Sequence, residues 1–241
     1  MELNTNFENK KDYIDFVKFL ESNSKNETLE YYERHKAIIN CQRKIISIKM
    51  ETIRKIAKEI AKGNCENFLF LAKDDTYEEV LIQGLVITNL KDIQKQLLYL
   101  ENWILKIDCW ALCDGVVSNM KNFAKSPLKE EKFQYFYDMC FDDREFVSRF
   151  GIIVLMSYYI DDEHIDKILE MSRTIKNTTF YVQMANAWLL SVCFVKQREK
   201  TLSLIKEKCL DKFTQNKTIS KCRDSFRVCD EDKELLKTFR I

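Results

Sequence analysis

The sequence predicts an all-α fold, and three observations carry that prediction. Its 241 residues include only 4 glycines and 1 proline, too few for the turns of a β-rich chain. Residues that tolerate helix, such as Leu, Ile, Lys and Glu, dominate the remainder. Apolar residues recur at helical spacing along most of the chain. Hydrophobic residues make up 46% and charged residues 32%, so a sizeable core with a well-solvated surface is expected.

The elements follow in order. Tyr13, Ile14, Phe16, Val17 and Leu20 form a helical stripe over residues 9–22, and ESNSKNET at 21–28 is a polar break. Residues 50–62 are strongly amphipathic: Ile53, Ile56, Ala57 and Ile60 face inward, Lys and Arg face outward, and Gly63 suits a C′ position. Asp75 with Glu78, and Asp142 with Glu145, have the spacing of capping boxes. Ser126-Pro127 places proline at the first position of a helix. Helices are therefore expected near 76–89, 91–106, 108–121, 129–141, 143–160, 162–173, 178–196, 198–213 and 218–228. They pair from starts near 91, 129, 162 and 198, close to the roughly 33–47-residue period of helical repeats. Stacked pairs of this kind make an α-solenoid; a compact bundle of similar helices fits the same periods. The organisation expected is one helical-repeat domain, 1–241, with 1–49 as an N-terminal helical cap and 50–241 as the repeat body.

The formal net charge of +1 hides an uneven distribution. Residues 196–227 hold ten Lys/Arg against four Asp/Glu, 43–62 hold seven against two, and 129–170 hold five against eleven. A near-neutral average therefore conceals two basic segments and one acidic one. Nine cysteines, an odd number in a long chain with no evident secretory leader, suggest reduced thiols and a cytoplasmic protein. Cys109 and Cys113 are one turn apart, but no second Cys or His pair completes a zinc pattern, and His35 and His164 stand alone. No metal is expected. The longest apolar run, FGIIVLMSYYI at 150–160, is too short to cross a membrane and reads as a core helix.

Few residues invite chemistry. Asp114 interrupts the apolar stretch IDCWALCDGVV at 107–117, and Trp110 lies one turn before it on the same face. A carboxylate there is costly unless it is paired or faces a cleft, and a structural role is the commoner outcome for each residue singly. Trp188 lies on a stripe with Tyr181, Met184 or Ala185, and Val192 and has Gln183 and Asn186 as a polar flank; core packing is the plain alternative. Arg149 opens a nearly all-apolar helix, where it suits a carboxylate or a phosphate. Residues 216–228 carry Lys217, Lys221, Arg223 and Arg227 around Ile219, Cys222 and Phe226, a basic amphipathic helix that is either simply solvated or in contact with phosphates.

Taken in order, these stretches resemble the AlkD-type DNA alkylation repair family, glycosylases built of HEAT-like repeats. The resemblance runs from about Met50 to the end and rests on IRKIAKE (53–59), DCWALCD (108–114), Arg149 before its apolar run, QMANAW (183–188) and the C-terminal basic helix. It implies a curved, right-handed solenoid whose concave, basic face cradles duplex DNA, with the carboxylates of 129–170 mostly on the convex side. It implies hydrolysis of the N-glycosidic bond of cationic N3- or N7-alkylated purines, the first step of base excision repair, by a monofunctional enzyme with no cofactor. Trp110 and Trp188 match tryptophans that lie against the deoxyribose, Asp114 matches the carboxylate beside the anomeric carbon, and Arg149 matches an arginine near it. DNA contacts are expected from Arg54, Lys55, Gln183, Lys217, Lys221 and Arg223. The protein is expected to act as a monomer on double-stranded DNA.

The chemistry suits these residue types. An alkylated purine is a good leaving group, and its departure leaves an oxocarbenium-like sugar. A fixed carboxylate stabilises that charge and orients water, and indole faces favour adjacent cations. Met184 and Ser191 stand where the family usually has Lys and Arg, and Phe146 and Ser148 where it more often has Trp and Arg. Met184 and Ser191 favour an alternative, a non-catalytic helical-repeat module that binds DNA structures or a protein.

Overall fold

The computed structural model describes residues 3–24 and 29–241 and is helical throughout, with no strand among those residues and one isolated parallel bridge between Lys44 and Thr76. The all-α expectation is met. The chain divides into two compact units, Met1–Leu128 and Lys129–Ile241.

The first unit holds α1 (Lys10–Ser22), α2 (Leu29–Ile39), α3 (Met50–Ile60), α4 (Cys65–Leu71), α5 (Tyr77–Asn89), α6 (Ile93–Ile104), α7 (Trp110–Val117) and α8 (Lys121–Ala124). α9 (Leu128–Glu131) begins at the boundary, just after Pro127. The second unit continues with α10 (Phe133–Met139), α11 (Glu145–Tyr158), α12 (Ile165–Thr174), α13 (Phe180–Lys196), α14 (Arg198–Glu207), α15 (Lys212–Asp224) and α16 (Asp230–Lys237). Of the polar break at 21–28, residues 25–28 lie outside the described residues.

α5 is the centre of the first unit. Every residue from Tyr77 to Thr88 is buried. The expected Asp75–Glu78 box does not form. Thr76 caps the helix instead, accepting from the Glu79 N–H at 3.2 Å. Glu78 is turned inward, where its carboxylate accepts from the N–H groups of Ile46 at 2.8 Å, Ser47 at 2.8 Å and Ile48 at 3.3 Å. Burial raises its pKa against the pull of those three donors. Glu79 accepts from Tyr13 Oη at 2.6 Å and Thr76 Oγ1 at 2.8 Å, tying α1 to the same point. Close approach on the other side needs glycine: a Cβ at Gly84 would lie 2.5 Å from the Trp103 ring and 2.5 Å from Val116 Cγ2. α6 and α7 therefore pack directly on the α5 backbone. Gly63 is also a contact glycine rather than a left-handed C′ residue, since no glycine has positive φ and its Cβ would meet the Thr5 carbonyl at 2.6 Å.

The second unit repeats the device. A Cβ at Gly151 would lie 2.7 Å from the Phe136 carbonyl oxygen, so α11 lies tightly on α10. The Asp142–Glu145 box is absent too. Asp142 accepts from the Arg144 N–H at 2.8 Å, and Glu145 reaches across to accept from the Tyr181 N–H at 2.8 Å, so it caps α13 in place of its own helix. The single helix expected at 198–213 stops at Glu207, where Lys208 turns left-handed (φ 52°). Asp211 then caps α15, accepting from the Thr214 N–H at 2.9 Å. α15 thus begins six residues before the expected 218 and ends at Asp224, which leaves Phe226 outside it.

Arg198 joins α14 to α16 by a two-point contact on Asp232, with Nε donating to Oδ2 at 2.7 Å and Nη2 donating to Oδ1. The guanidinium holds the Asp232 carboxyl below the usual carboxylate range. A depressed folded pKa stabilises the fold above the unfolded carboxylate value, and that stabilisation is lost as pH falls through the folded value. Because Arg198 is partly exposed, solvent screens the pair, and Arg198→Gln should lower stability only modestly at pH 7. The cost should shrink at a pH below the usual carboxylate range, as Asp232 becomes protonated. Urea titrations at both pH values check this, and an equal loss at both would refute the electrostatic account.

Candidate functional site

Trp110 and Asp114 open and centre α7 in the first unit. Cys109 enters in extended geometry (φ −151°, ψ 157°), and Leu112, Cys113, Val116 and Val117 fill the core side of the helix. Trp110 and Asp114 occupy the other side and are both half-buried. The Trp110 indole N–H donates to the Ile38 carbonyl at 3.0 Å, which fixes the ring against the end of α2. Asp114, one turn on, is half-buried on the same side of the helix. On α3, Arg54 and Lys55 are exposed opposite the buried Ile53, Ile56, Ala57 and Ile60. Lys55 pairs with Glu51 at 2.7 Å along the helix surface, a weak and easily exchanged contact.

The second unit holds the remaining predicted residues. Arg149 is buried, with Nη1 donating to the Tyr181 carbonyl at 2.9 Å and its guanidinium 5.9 Å from the Tyr181 ring centre. It braces α11 against the start of α13. Trp188 is 38% exposed although Ala185, Ala187, Leu189 and Leu190 around it are buried, so its ring reaches the surface where core packing is the plain alternative. The Lys221 ammonium lies 5.6 Å above its ring centre, a cation–π contact. Trp188, Ser191, Lys221 and Arg227 help line a surface hollow of about 360 Å³. Ser191 Oγ donates to the Trp188 carbonyl at 2.7 Å. A cation is thus supplied beside Trp188 from α15 instead of from α13, a contribution the spacing within one helix does not disclose. Gln183 Nε2 donates to Asp211 Oδ1 at 2.8 Å and so ties α13 to the start of α15. Lys217 lines a second hollow of about 510 Å³ with Lys212, Phe213 and Asn216, and Arg223 is exposed.

Folding also assembles two groups with metal-ligand chemistry, Cys41–Asp108–Cys109 and Glu130–Glu163–His164, each with its donor atoms within 4.8 Å of one another. Sequence spacing misses both because their members come from distant segments. Each is already engaged internally. Asp108 pairs with Arg43 at 2.7 Å and accepts from Cys41 Sγ at 3.2 Å, and His164 Nδ1 lies 2.8 Å from Asp161. All nine cysteines are free. No helix among the described residues is long and apolar enough to cross a membrane.

A family model described as "DNA alkylation repair enzyme" matches residues 17–220. No curated protein and no solved structure matches the chain.

Proposed function

The chain belongs to the DNA alkylation repair enzyme family, and from that premise we propose that it is a monofunctional DNA N-glycosylase that removes cationic N3- or N7-alkylated purines from duplex DNA. The observation that carries this reading is the single half-exposed face of α7 that presents Trp110 and Asp114 one turn apart. In this reading the lesion's deoxyribose lies against that face. Departure of the neutral alkylpurine leaves positive charge on the sugar ring, the Asp114 carboxylate stabilises it, and a water added at the anomeric carbon completes hydrolysis. Within the second unit, Trp188 offers an indole face to the DNA, and Arg149 acts through Tyr181 as a positioning residue there. Arg54, Lys55, Gln183, Lys217, Lys221 and Arg223 contact the DNA, and the helix pairs form a HEAT-like solenoid acting as a cytoplasmic monomer. No cofactor enters the reaction.

Release of 7-methylguanine from methylated duplex DNA above the spontaneous rate tests the catalytic claim. No release would leave the second reading, a DNA-binding module, which the neutral Met184 and Ser191 favour. The phosphate contacts make their own prediction. Each one releases counterions, so duplex affinity should fall by about 10³-fold or more between 50 and 200 mM salt if six or more cations engage. A titration series at graded salt that shows flat affinity would refute the contact set.

A further inference from the structure

Phe226 is fully exposed at 104% of its reference area. A phenylalanine in a well-packed domain is normally withdrawn from water, and here the fold holds it out. The chain leaves α15 at Asp224, and the Ser225 N–H donates to the Cys222 carbonyl at 3.2 Å. The Arg227 N–H donates to Ser225 Oγ at 3.2 Å, which tightens the turn. Two residues after Phe226, Val228 returns to the core and packs with Phe194, Leu202, Ile205, Ile219, Cys222 and Leu236. The projection is therefore anchored on both sides.

The flank that leads into it is cationic. Arg223 and Arg227 are exposed, Lys221 lies over Trp188, and residues 217–227 include four Lys/Arg against Asp224, whereas Asp230 and Glu231 open α16 just beyond the loop. Ser225 and Arg227, the neighbours of Phe226, line the hollow that also contains Trp188. An exposed aromatic ring flanked by guanidinium and ammonium groups is poorly suited to an apolar protein face. It is well suited to nucleic acid, where rings stack on bases while cations hold the phosphates.

We propose that loop 225–229 is a base-stacking wedge: Phe226 stacks on a base that has lost its own stacking partner, while Lys221, Arg223 and Arg227 hold the flanking phosphates. The inference rests on the DNA-binding reading and adds a preference within it. The wedge favours duplexes with an unpaired or extrahelical base over fully paired ones.

The test uses the full chain and two duplexes of equal length, one fully paired and one with a single extrahelical 2-aminopurine. Wild type should bind the second more tightly and quench its fluorescence. Phe226→Ala should lose the quenching and about tenfold or more of that affinity, since stacking on one base is worth that much. Its binding to the paired duplex should barely change. Phe226→Trp should retain both signals. Equal affinity and equal quenching for Phe226→Ala and wild type on the extrahelical base would overturn the wedge while leaving the DNA-binding reading intact. Failure of wild type to bind either duplex would overturn both.

Discussion

Asp114→Asn is expected to slow single-turnover release of 7-methylguanine by ~10²–10³-fold, the usual effect of deleting one preorganised charge at a transition state. The amide keeps the volume of the carboxylate and fits the same half-exposed position on α7, so the melting curve should hardly move. Duplex affinity should hold or rise slightly, because a negative charge near phosphates has been removed. The combination is diagnostic: a brace in the core would lower stability, and a phosphate-binding group would lower affinity. Release by the variant at the wild-type rate would make Asp114 purely structural.

The helices were largely legible because their signal is local. The buried stripe of α3 (Ile53, Ile56, Ala57, Ile60) is readable from spacing alone, as is the shared face of Trp110 and Asp114. Caps were not, since several groups near each helix start compete for the same N–H donors. Glu78 has the spacing of a capping partner, yet it is drawn to the N–H groups of Ile46 to Ile48 about thirty residues earlier, and Glu145 caps a different helix. Periodicity also overran the end of α15. It assigned Phe226 to an apolar stripe that the chain abandons at Asp224.

The site divides in the same way. Arg149 was marked by its unusual place in an apolar helix, but its partner, the carbonyl of Tyr181, lies 32 positions away. Nothing in the local pattern of α11 specifies that bond. The cation over Trp188 comes from Lys221, on another helix. Both depend on how α11, α13 and α15 pack, which single-helix periodicity does not encode.

Trp103→Ala is expected to destabilise the first unit by about 3–5 kcal/mol, the range for emptying a fully packed aromatic site. Trp103 is 1% exposed, and its indole N–H donates to the Val80 carbonyl at 2.8 Å. Its ring covers the Gly84 position, where an added Cβ would come within 2.5 Å of it and of Val116. Truncation therefore removes apolar contact, a buried hydrogen bond and the wall that α5 rests on. Gly84→Ala alone should cost about 1–3 kcal/mol by overpacking. The two changes compensate in part, because the extra methyl enters space the indole has vacated. Urea unfolding of both single variants and the double variant should thus give a total smaller than the two costs added, by about 1 kcal/mol or more. Strict additivity would mean that the ring and Gly84 do not share the contact. Val116 is on the same helix as Trp110 and Asp114, so Trp103→Ala should also weaken base release below its melting transition. Gly84 and Trp103 would then set the position of the carboxylate without touching the DNA.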